Sequence, residues 1–478
     1  MRNDGRTRPR MTSARWTLGI VSLALFMVVL DNLVVTTALP SIRRDLGATI
    51  QQLEWTVNAY TLSYAVLLLT GAALGDRFGR KRMFLIGLGV FTLGSAAAAL
   101  APTTGALIAA RAFQGVGAAV VTPLTLTLLS EAFPTARRGV AIGIWSGVSG
   151  LGVALGPVVG GAVAGGLSWQ WIFWINVPVG LVVIPLAILR LGESRGQARS
   201  LDLPGLGLAA VGLFGVVYGL VRGDALGWTS STILVSLVGG AAFLAAFALW
   251  ERRAAIPMLP MRFFRSRGFT ATNGVSLAMY FGVFGSIFLL SQFFQTAQHY
   301  SPLESGLRTL PWTGMPMIVA PIAGALSDRI GSRPLMAAGL ALQAGSITWL
   351  ALIISPSVAY GRVIPAFVMG GAGMALVFAP AANAVLRSVR EHEVGQASGA
   401  TNAIRELGGV FGISILASVF SSWGSYASPQ AYVDGVRPAL WVGAAVLAAG
   451  VLSALAVPGL RRARGVTSPV PEAAAAAA

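Results

Sequence analysis

The sequence predicts an all-α integral membrane protein made of two homologous six-helix bundles with two additional helices between them. Three observations predict it. Apolar runs of membrane-spanning length occur fourteen times, the basic residues fall overwhelmingly on one side of those runs, and blocks of residues repeat at an offset of 252 to 256 positions.

Composition sets the solvent. Of 478 residues, 55% are hydrophobic and only 11% charged, with a mean hydropathy of +0.74. Soluble domains carry about 25% charged residues, so this chain cannot cover itself with polar groups and must sit in lipid. Cysteine is absent, which excludes disulfides and thiolate metal sites. The two histidines, His299 and His392, are far apart, so no metal or other cofactor is expected. Lys81 is the single lysine among 34 basic residues. That bias, with abundant Ala and Gly, is what a GC-rich bacterial genome produces.

A span needs ~20 apolar residues to cross ~30 Å of hydrocarbon. The runs that meet this are 17–39, 52–74, 84–101, 106–128, 139–163, 171–190, 203–221, 232–250, 270–294, 304–326, 335–354, 361–384, 395–420 and 438–458. They divide the chain into a tail (1–16), a first six-helix bundle (17–190), two additional helices (203–250), a second six-helix bundle (268–458) and a tail (459–478). The Arg-rich start and the closing "TSPVPEAAAAAA" are expected to be disordered. The first run is too long for a signal-peptide core, and no small-x-small cleavage site follows it.

Fourteen spans put both termini on one side. Segments on that side hold 26 of the 34 basic residues. The other side holds Arg43, Arg44, Arg222, Arg308, Arg362 and Arg437, and Arg111 and Arg405 lie within spans. By the positive-inside rule both termini are cytoplasmic, and the expected location is a bacterial cytoplasmic membrane crossed many times. The net charge of +17 is thus a topology signal, and nucleic acid is not an expected partner.

The duplication shows in three places. "AALGDRFGRKR" (72–82) matches "GALSDRIGSRP" (324–334) at an offset of 252. Gly143, Gly152 and Gly156 share their spacing with Gly399, Gly408 and Gly412 at 256, as "QGVGAA" (114–119) does with "GGAGMA" (370–375). Repeated halves around a central site are a common plan of secondary transporters.

These residues also carry a resemblance. "GDRFGRK" resembles the loop motif between spans two and three of the major facilitator superfamily, and "RAFQGVG" (111–117) resembles its span-four motif. "GIWSGVSGLGVALGPVVGG" (143–161) resembles the span-five motif of that superfamily's exporters. "LDNLVVTTALP", "WQWIFWINVPVG" (169–180) and "ASGATNAIRELGG" (397–409) look like its fourteen-span drug:proton antiporter branch. Ala72 departs from the usual glycine of the first motif, with Gly71 adjacent. The resemblance covers nearly the whole chain and implies the major facilitator fold, alternating access and multidrug efflux.

Asp31 and Arg111 are the leading candidates for proton coupling. Asp31 lies nine residues before Pro40 and Arg111 six past Gly105, depths of ~13 and ~9 Å from the same end. Charges at bilayer depth cost about 2.5–3.5 kcal/mol or more, so mutual pairing or a wet cavity is expected. The duplicate spans carry about Val283 and Phe367 at these positions, so the fold does not require the charges. A buried carboxylate favours its protonated form and a neighbouring guanidinium the charged one, so a site opening to each side in turn can load and release a proton. The competing reading is a pair that merely fixes two helices. Glu406, beside Arg405, is a second coupling candidate if it lies in the cavity and not at the membrane interface.

Asp76, Arg77, Gly79, Arg80 and Lys81, with Asp328 and Arg329 in the duplicate, form the loops that the resemblance implies latch one access state. Gly152, Gly156 and Gly160, at i, i+4 and i+8, offer one smooth face for close helix approach, and Pro157 beside them permits a bend. With Gly143 and Gly161 they belong to the motif that the resemblance assigns to the seam between halves. Asn32, Asn58, Tyr60, Trp145, Gln292, Gln295, Trp312, Asn383 and Asn402 are polar or aromatic residues within spans. They suit a greasy cavity for amphipathic molecules, though interhelical bonding explains any one of them as well.

The expected function is therefore export of amphipathic compounds driven by protons, by a chain that works as a monomer. A dedicated exporter of one natural product is the nearest alternative, and a proton-coupled importer is disfavoured by "GPVVGG". A membrane enzyme would need clustered catalytic groups, and "EHE" (391–393) is the nearest approach. No G-x-x-x-x-G-K-[ST] occurs, which argues against ATP as the energy source.

Overall fold

The structure is a computed structural model that describes residues 11–195, 201–255, 257–390 and 394–459. Within them lie sixteen α-helices and one short 3-10 turn, Met261–Arg265, and no strand. The first bundle comprises α1 (Met11–Leu46), α2 (Ile50–Phe78), α3 (Arg80–Ala99), α4 (Thr104–Ala132), α5 (Thr135–Gly166), α6 (Trp171–Trp174) and α7 (Asn176–Arg190). The additional pair is α8 (Leu203–Leu226) and α9 (Ser231–Arg253). The second bundle comprises α10 (Arg267–Thr296), α11 (Pro302–Thr313), α12 (Met315–Ile330), α13 (Ser332–Ile353), α14 (Tyr360–Arg387), α15 (Val394–Trp423) and α16 (Pro429–Leu455).

Thirteen helical segments here are long and apolar enough to cross a membrane, and the bent α2 makes fourteen. The expected span count therefore stands, with three details that hydropathy does not reveal. Helix α2 bends by 51° between Ile50–Leu68 and Thr70–Phe78. Span six opens with the separate turn α6, and span ten breaks at Gly314 into α11 and α12. Residues 1–10 and 460–478 and the "EHE" triplet lie outside the described residues, whereas residues 11–16, expected in the N-terminal tail, open α1.

The duplication extends to local geometry. Thr49 and Gln52 form a reciprocal capping box at the start of α2, and Ser301 and Glu304 form the same box on α11, 252 residues on. Each such cap contributes about 1 kcal/mol by satisfying backbone N–H groups at the helix start. Gly79 and Gly331, again 252 apart, end the corresponding spans at φ 107° and 90°. Only glycine adopts that region without strain.

The halves pack with the same symmetry: α5 lies against α11, and α2 against α15. Lipid supplies no hydrophobic drive between helices, so close packing and hydrogen bonds hold them. At the α5–α11 seam a Cβ on Gly161 would stand 2.2 Å from the Pro302 carbonyl oxygen, and one on Gly306 2.2 Å from that of Pro157. Gly152, Gly156 and Gly160 instead face α1 of their own bundle, meeting Phe26 and Val29, Leu33, and Val34 and Thr37. The glycine stripe is thus an α1–α5 contact, while Pro157 and Gly161 face the other half.

Among the described residues, these hydrogen bonds join the bundles. Ser291 Oγ donates to the Thr36 carbonyl (3.1 Å), Gln295 Nε2 to that of Thr37 (2.8 Å), Thr313 Oγ1 to that of Ala154 (3.2 Å), and Asn58 Nδ2 to Ser414 Oγ (2.9 Å). These bonds fall in the parts of their spans distal to the chain termini. The largest apolar cluster also takes in both halves, with Val34, Ala38, Leu39 and Trp169 from the first and Phe288, Phe293 and Phe294 from the second. The halves are therefore closed on each other at the distal side. The α8–α9 pair covers the α2–α15 seam through Leu213, Val217 and Val221 against Leu62 and Val410.

Candidate functional site

Side chains of α4 and α7 converge on Asp31 of α1. Its carboxylate is 1% exposed and Arg111 is fully buried, as their matched depths predict. Arg111 Nη1 donates to Asp31 Oδ2 at 2.5 Å. The other carboxylate oxygen, Oδ1, accepts from Gln114 Nε2 on α4 at 2.9 Å and from Asn176 Nδ2 on α7 at 2.7 Å. Ser95 Oγ on α3 backs both amides, accepting from Gln114 at 2.6 Å and from Asn176 at 3.2 Å.

The guanidinium is held separately. Arg111 Nη1 also donates to Gln114 Oε1 (2.7 Å) and Nε to the Thr56 carbonyl (3.2 Å). Its Cζ lies 4.2 Å from the Tyr60 ring centroid and 5.7 Å from that of Phe173, so the charge is shielded by aromatic faces. A buried pair of this kind contributes little net stability, but losing one partner strands the other charge.

The second half places different chemistry at the same positions. Trp312, 252 residues after Tyr60, meets Phe367, 256 after Arg111, edge-on at 5.4 Å. Val283 is 2% exposed, and all three belong to the apolar cluster. The charged cage is thus confined to one of two like-built bundles.

Glu406 stands twelve residues into α15, ~18 Å from its start, inside the apolar stretch Gln396–Trp423. It is half-buried, and its Oε2 has no hydrogen-bond partner. Neighbouring Arg405 is 6% exposed, donates to Asn402 Oδ1 at 3.4 Å, and places its Cζ 4.8 Å from the Phe378 ring centroid.

Among the residues expected to line a cavity, several are engaged in packing in this conformation. Asn58 holds Ser414 across the halves, and Tyr60 covers Arg111. Gln292 donates to the Phe288 carbonyl and accepts from the Tyr426 hydroxyl at 2.6 Å, and Trp312 is 2% exposed. Gln295 bonds Thr37, as described above. Trp145 is half-buried, its Nε1 donating to Thr125 Oγ1 at 3.2 Å, and Asn32, Asn383 and Asn402 are half-buried.

At the terminal side, Arg80 donates to Asp76 Oδ1 from Nε (2.9 Å) and Nη2 (2.7 Å), and pairs with Glu131 through Nη1. Glu193, just past α7, accepts from the Lys81 and Arg82 backbone N–H groups at 3.1 and 3.2 Å and so caps α3. Lys81 Nζ donates to the Ile188 carbonyl at 2.7 Å, and Arg77 is exposed. In the duplicate loop Arg329 is exposed; the Asp328 side chain and the surroundings of Gly143 lie outside what the structure describes.

Sequence reasoning missed Ser95, Gln114, Asn176, Glu131 and Glu193. Gln114 and Asn176 stood inside the quoted motifs "RAFQGVG" and "WINVPVG", but nothing in a linear pattern aims them at Asp31.

Repeated caps, paired halves and one buried charge cage fit a membrane transporter built from two repeats. The Major Facilitator Superfamily model matches residues 21–413 and, in a second match, 272–477, and the chain belongs to that family. It is 37% identical over 409 residues to multidrug resistance protein Stp of Mycobacterium tuberculosis, covering 85% of this chain and 76% of that one. It is also 37% identical over 470 residues to cephamycin export protein CmcT of Amycolatopsis lactamdurans, covering 96% and 95%. The fold matches the crystal structure of a bacterial homologue of the human lysosomal transporter Spinster, solved inward-facing and unoccupied. There the TM-score is 0.68 at 15% identity, over 96% of this chain and 100% of that one.

Proposed function

We propose that this protein exports amphipathic compounds of the drug or antibiotic class, driven by proton influx and working by alternating access. The observation that carries the reading is the buried Asp31–Arg111 pair, present in one half and replaced by Val283 and Phe367 in the other. A fold that needed the pair for packing would need it twice. Moving a proton inward contributes roughly 2.3 kcal/mol per 100 mV of membrane potential, and Asp31 is the group placed to carry it. Glu406, within its span, is the second candidate.

Relatives named for multidrug resistance and for cephamycin export support both a broad pump and an exporter dedicated to one natural product. The protein acts in the bacterial cytoplasmic membrane with both termini inside, as a monomer, without a cofactor and without enzymatic activity.

The test is proton release from acidified everted vesicles on adding lipophilic cations and antibiotics, with Asp31→Asn as the comparison. Release in the wild type that disappears in the variant at equal expression supports the reading. Release that persists in the variant removes Asp31 from it and moves the role to Glu406. A response to one antibiotic class alone favours the dedicated exporter.

A further inference from the structure

We infer that Asn176 is a positioning residue whose side-chain amide turns over as Asp31 gains and loses its proton, so that both forms of the carboxyl are bonded. The inference rests on the reading of Asp31 as the proton carrier and concerns how the buried site accommodates that proton.

Every hydrogen bond the structure gives the Asp31 carboxylate comes from an N–H donor: Arg111 on Oδ2, and Gln114 and Asn176 on Oδ1. Three donors on two oxygens satisfy a carboxylate well. They leave no acceptor for a carboxylic O–H. A proton arriving at Asp31 would face an N–H group, and a buried donor without a partner costs about 1–3 kcal/mol. One of the three donors must therefore become an acceptor.

Arginine has no acceptor atom. Gln114 has one, but its Oε1 is held by Arg111 at 2.7 Å while its Nε2 bonds Asp31 and Ser95, so turning it over breaks three bonds. Asn176 is different. Its Nδ2 serves Asp31 at 2.7 Å and Ser95 at 3.2 Å; a protonated Asp31 has an O–H to offer, and the Ser95 hydroxyl can turn its own hydrogen toward the amide. With the amide reversed, the Asn176 oxygen accepts from the new Asp31 O–H and from the Ser95 hydroxyl. Gln114 continues to donate to both. One N–H···O bond to Asp31 is exchanged for one O–H···O bond, and the added proton resides on Asp31.

Among the described residues, no other group at the cage takes this part. The charged or titratable groups at the cage are Arg111 on α4 and Tyr60 on α2, and the Tyr60 hydroxyl is directed at the Val28 carbonyl at 3.4 Å. Helix α3 offers Ser95, and α6 offers Phe173 to Arg111. Helices α5 and α10 also pack on α1, through glycines and through Ser291 and Gln295, none of which titrates.

The experiment is infrared difference spectroscopy between acid and neutral pH on the full-length protein in lipid, paired with the pH profile of transport. Wild type, Asn176→Leu, Asn176→Thr and Asp31→Asn are compared. In the wild type a protonated carboxyl band that is absent from Asp31→Asn should rise together with a shift in side-chain amide absorption. Part of that amide shift should vanish in Asn176→Leu. The leucine removes a partner from both forms of the carboxyl, the charge-assisted bond to the carboxylate being the stronger, so its transport midpoint should move to the alkaline side by less than one pH unit. Asn176→Thr, whose hydroxyl donates or accepts, should return most of that displacement and controls for misfolding of the leucine variant. An amide shift that survives intact in Asn176→Leu, or an alkaline displacement of a full pH unit or more, as loss of a fixed donor would give, overturns the switch while leaving Asp31 as carrier. If the acid-induced carboxyl band persists in Asp31→Asn, the carrier assignment fails, and the switch with it.

Discussion

Tyr60 and Trp312 hold the same station in the two halves, 252 residues apart, yet one lies over the Arg111 guanidinium and the other against the Phe367 ring. The duplicated architecture thus has two working solutions for one packing problem, one charged and one apolar.

The apolar solution should be transferable. Asp31→Val with Arg111→Phe installs the second half's residues in the first, and the double variant should fold and melt at or above the wild-type temperature. Its proton-coupled transport should be lost. Arg111→Phe alone leaves a buried carboxylate unpaired and should destabilise the protein by about 3–5 kcal/mol. Thermal unfolding in detergent, with vesicle transport alongside, separates the three proteins. A double variant that still couples protons would contradict the assignment.

Distal closure should depend on Gly161. Its alanine variant places a Cβ 2.2 Å from the Pro302 carbonyl oxygen, and backbone cannot yield as a side chain does. Because the wild type has no cysteine, Ser414→Cys gives a clean reporter at the Asn58 contact. Its labelling by an impermeant maleimide from the distal side should rise several-fold in Gly161→Ala. An unchanged rate would mean that the α5–α11 contact does not govern closure.

Arg80 should matter more for turnover than for stability. It is bracketed by Asp76 and Glu131 near the surface, where such pairs contribute about 0.2–1 kcal/mol each. Arg80→Ala should therefore shift unfolding only slightly while slowing transport severalfold, measured at equal protein in the same vesicles. A large loss of stability would assign the network to folding.

Topology is open to a direct reading. A cysteine in place of exposed Thr229, between α8 and α9, should react with impermeant reagent added to intact cells. One in place of exposed Ala255, after α9, should react only in everted vesicles. The opposite pattern would invert the orientation inferred from the arginines.

The span count, the two-bundle plan and the Asp31–Arg111 pair were legible because each leaves a coarse signature: long apolar runs, constant offsets, and charges where lipid excludes them. Asn176, Gln114 and Ser95 were not, since small polar residues occur throughout transmembrane helices and hydropathy does not say which way they point. The same blindness placed Asn58 and Gln292 among cavity residues, whereas here one joins the halves and the other accepts from Tyr426. The bend in α2 and the break at Gly314 escaped for another reason: a helix can change direction without any drop in apolar content.

The α8–α9 pair gives this pseudo-symmetric protein a front and a back. One seam, between α5 and α11, is closed by glycine and proline backbones and the Thr313–Ala154 hydrogen bond. The other is roofed by a hairpin that rests on α2 of one bundle and α15 of the other. Any rocking of the bundles must therefore drag the hairpin's Val217 and Val221 across Leu62 and Val410 on one flank only. Sequence drift in this hairpin would then alter how freely the machine moves without touching a single residue of the charge cage.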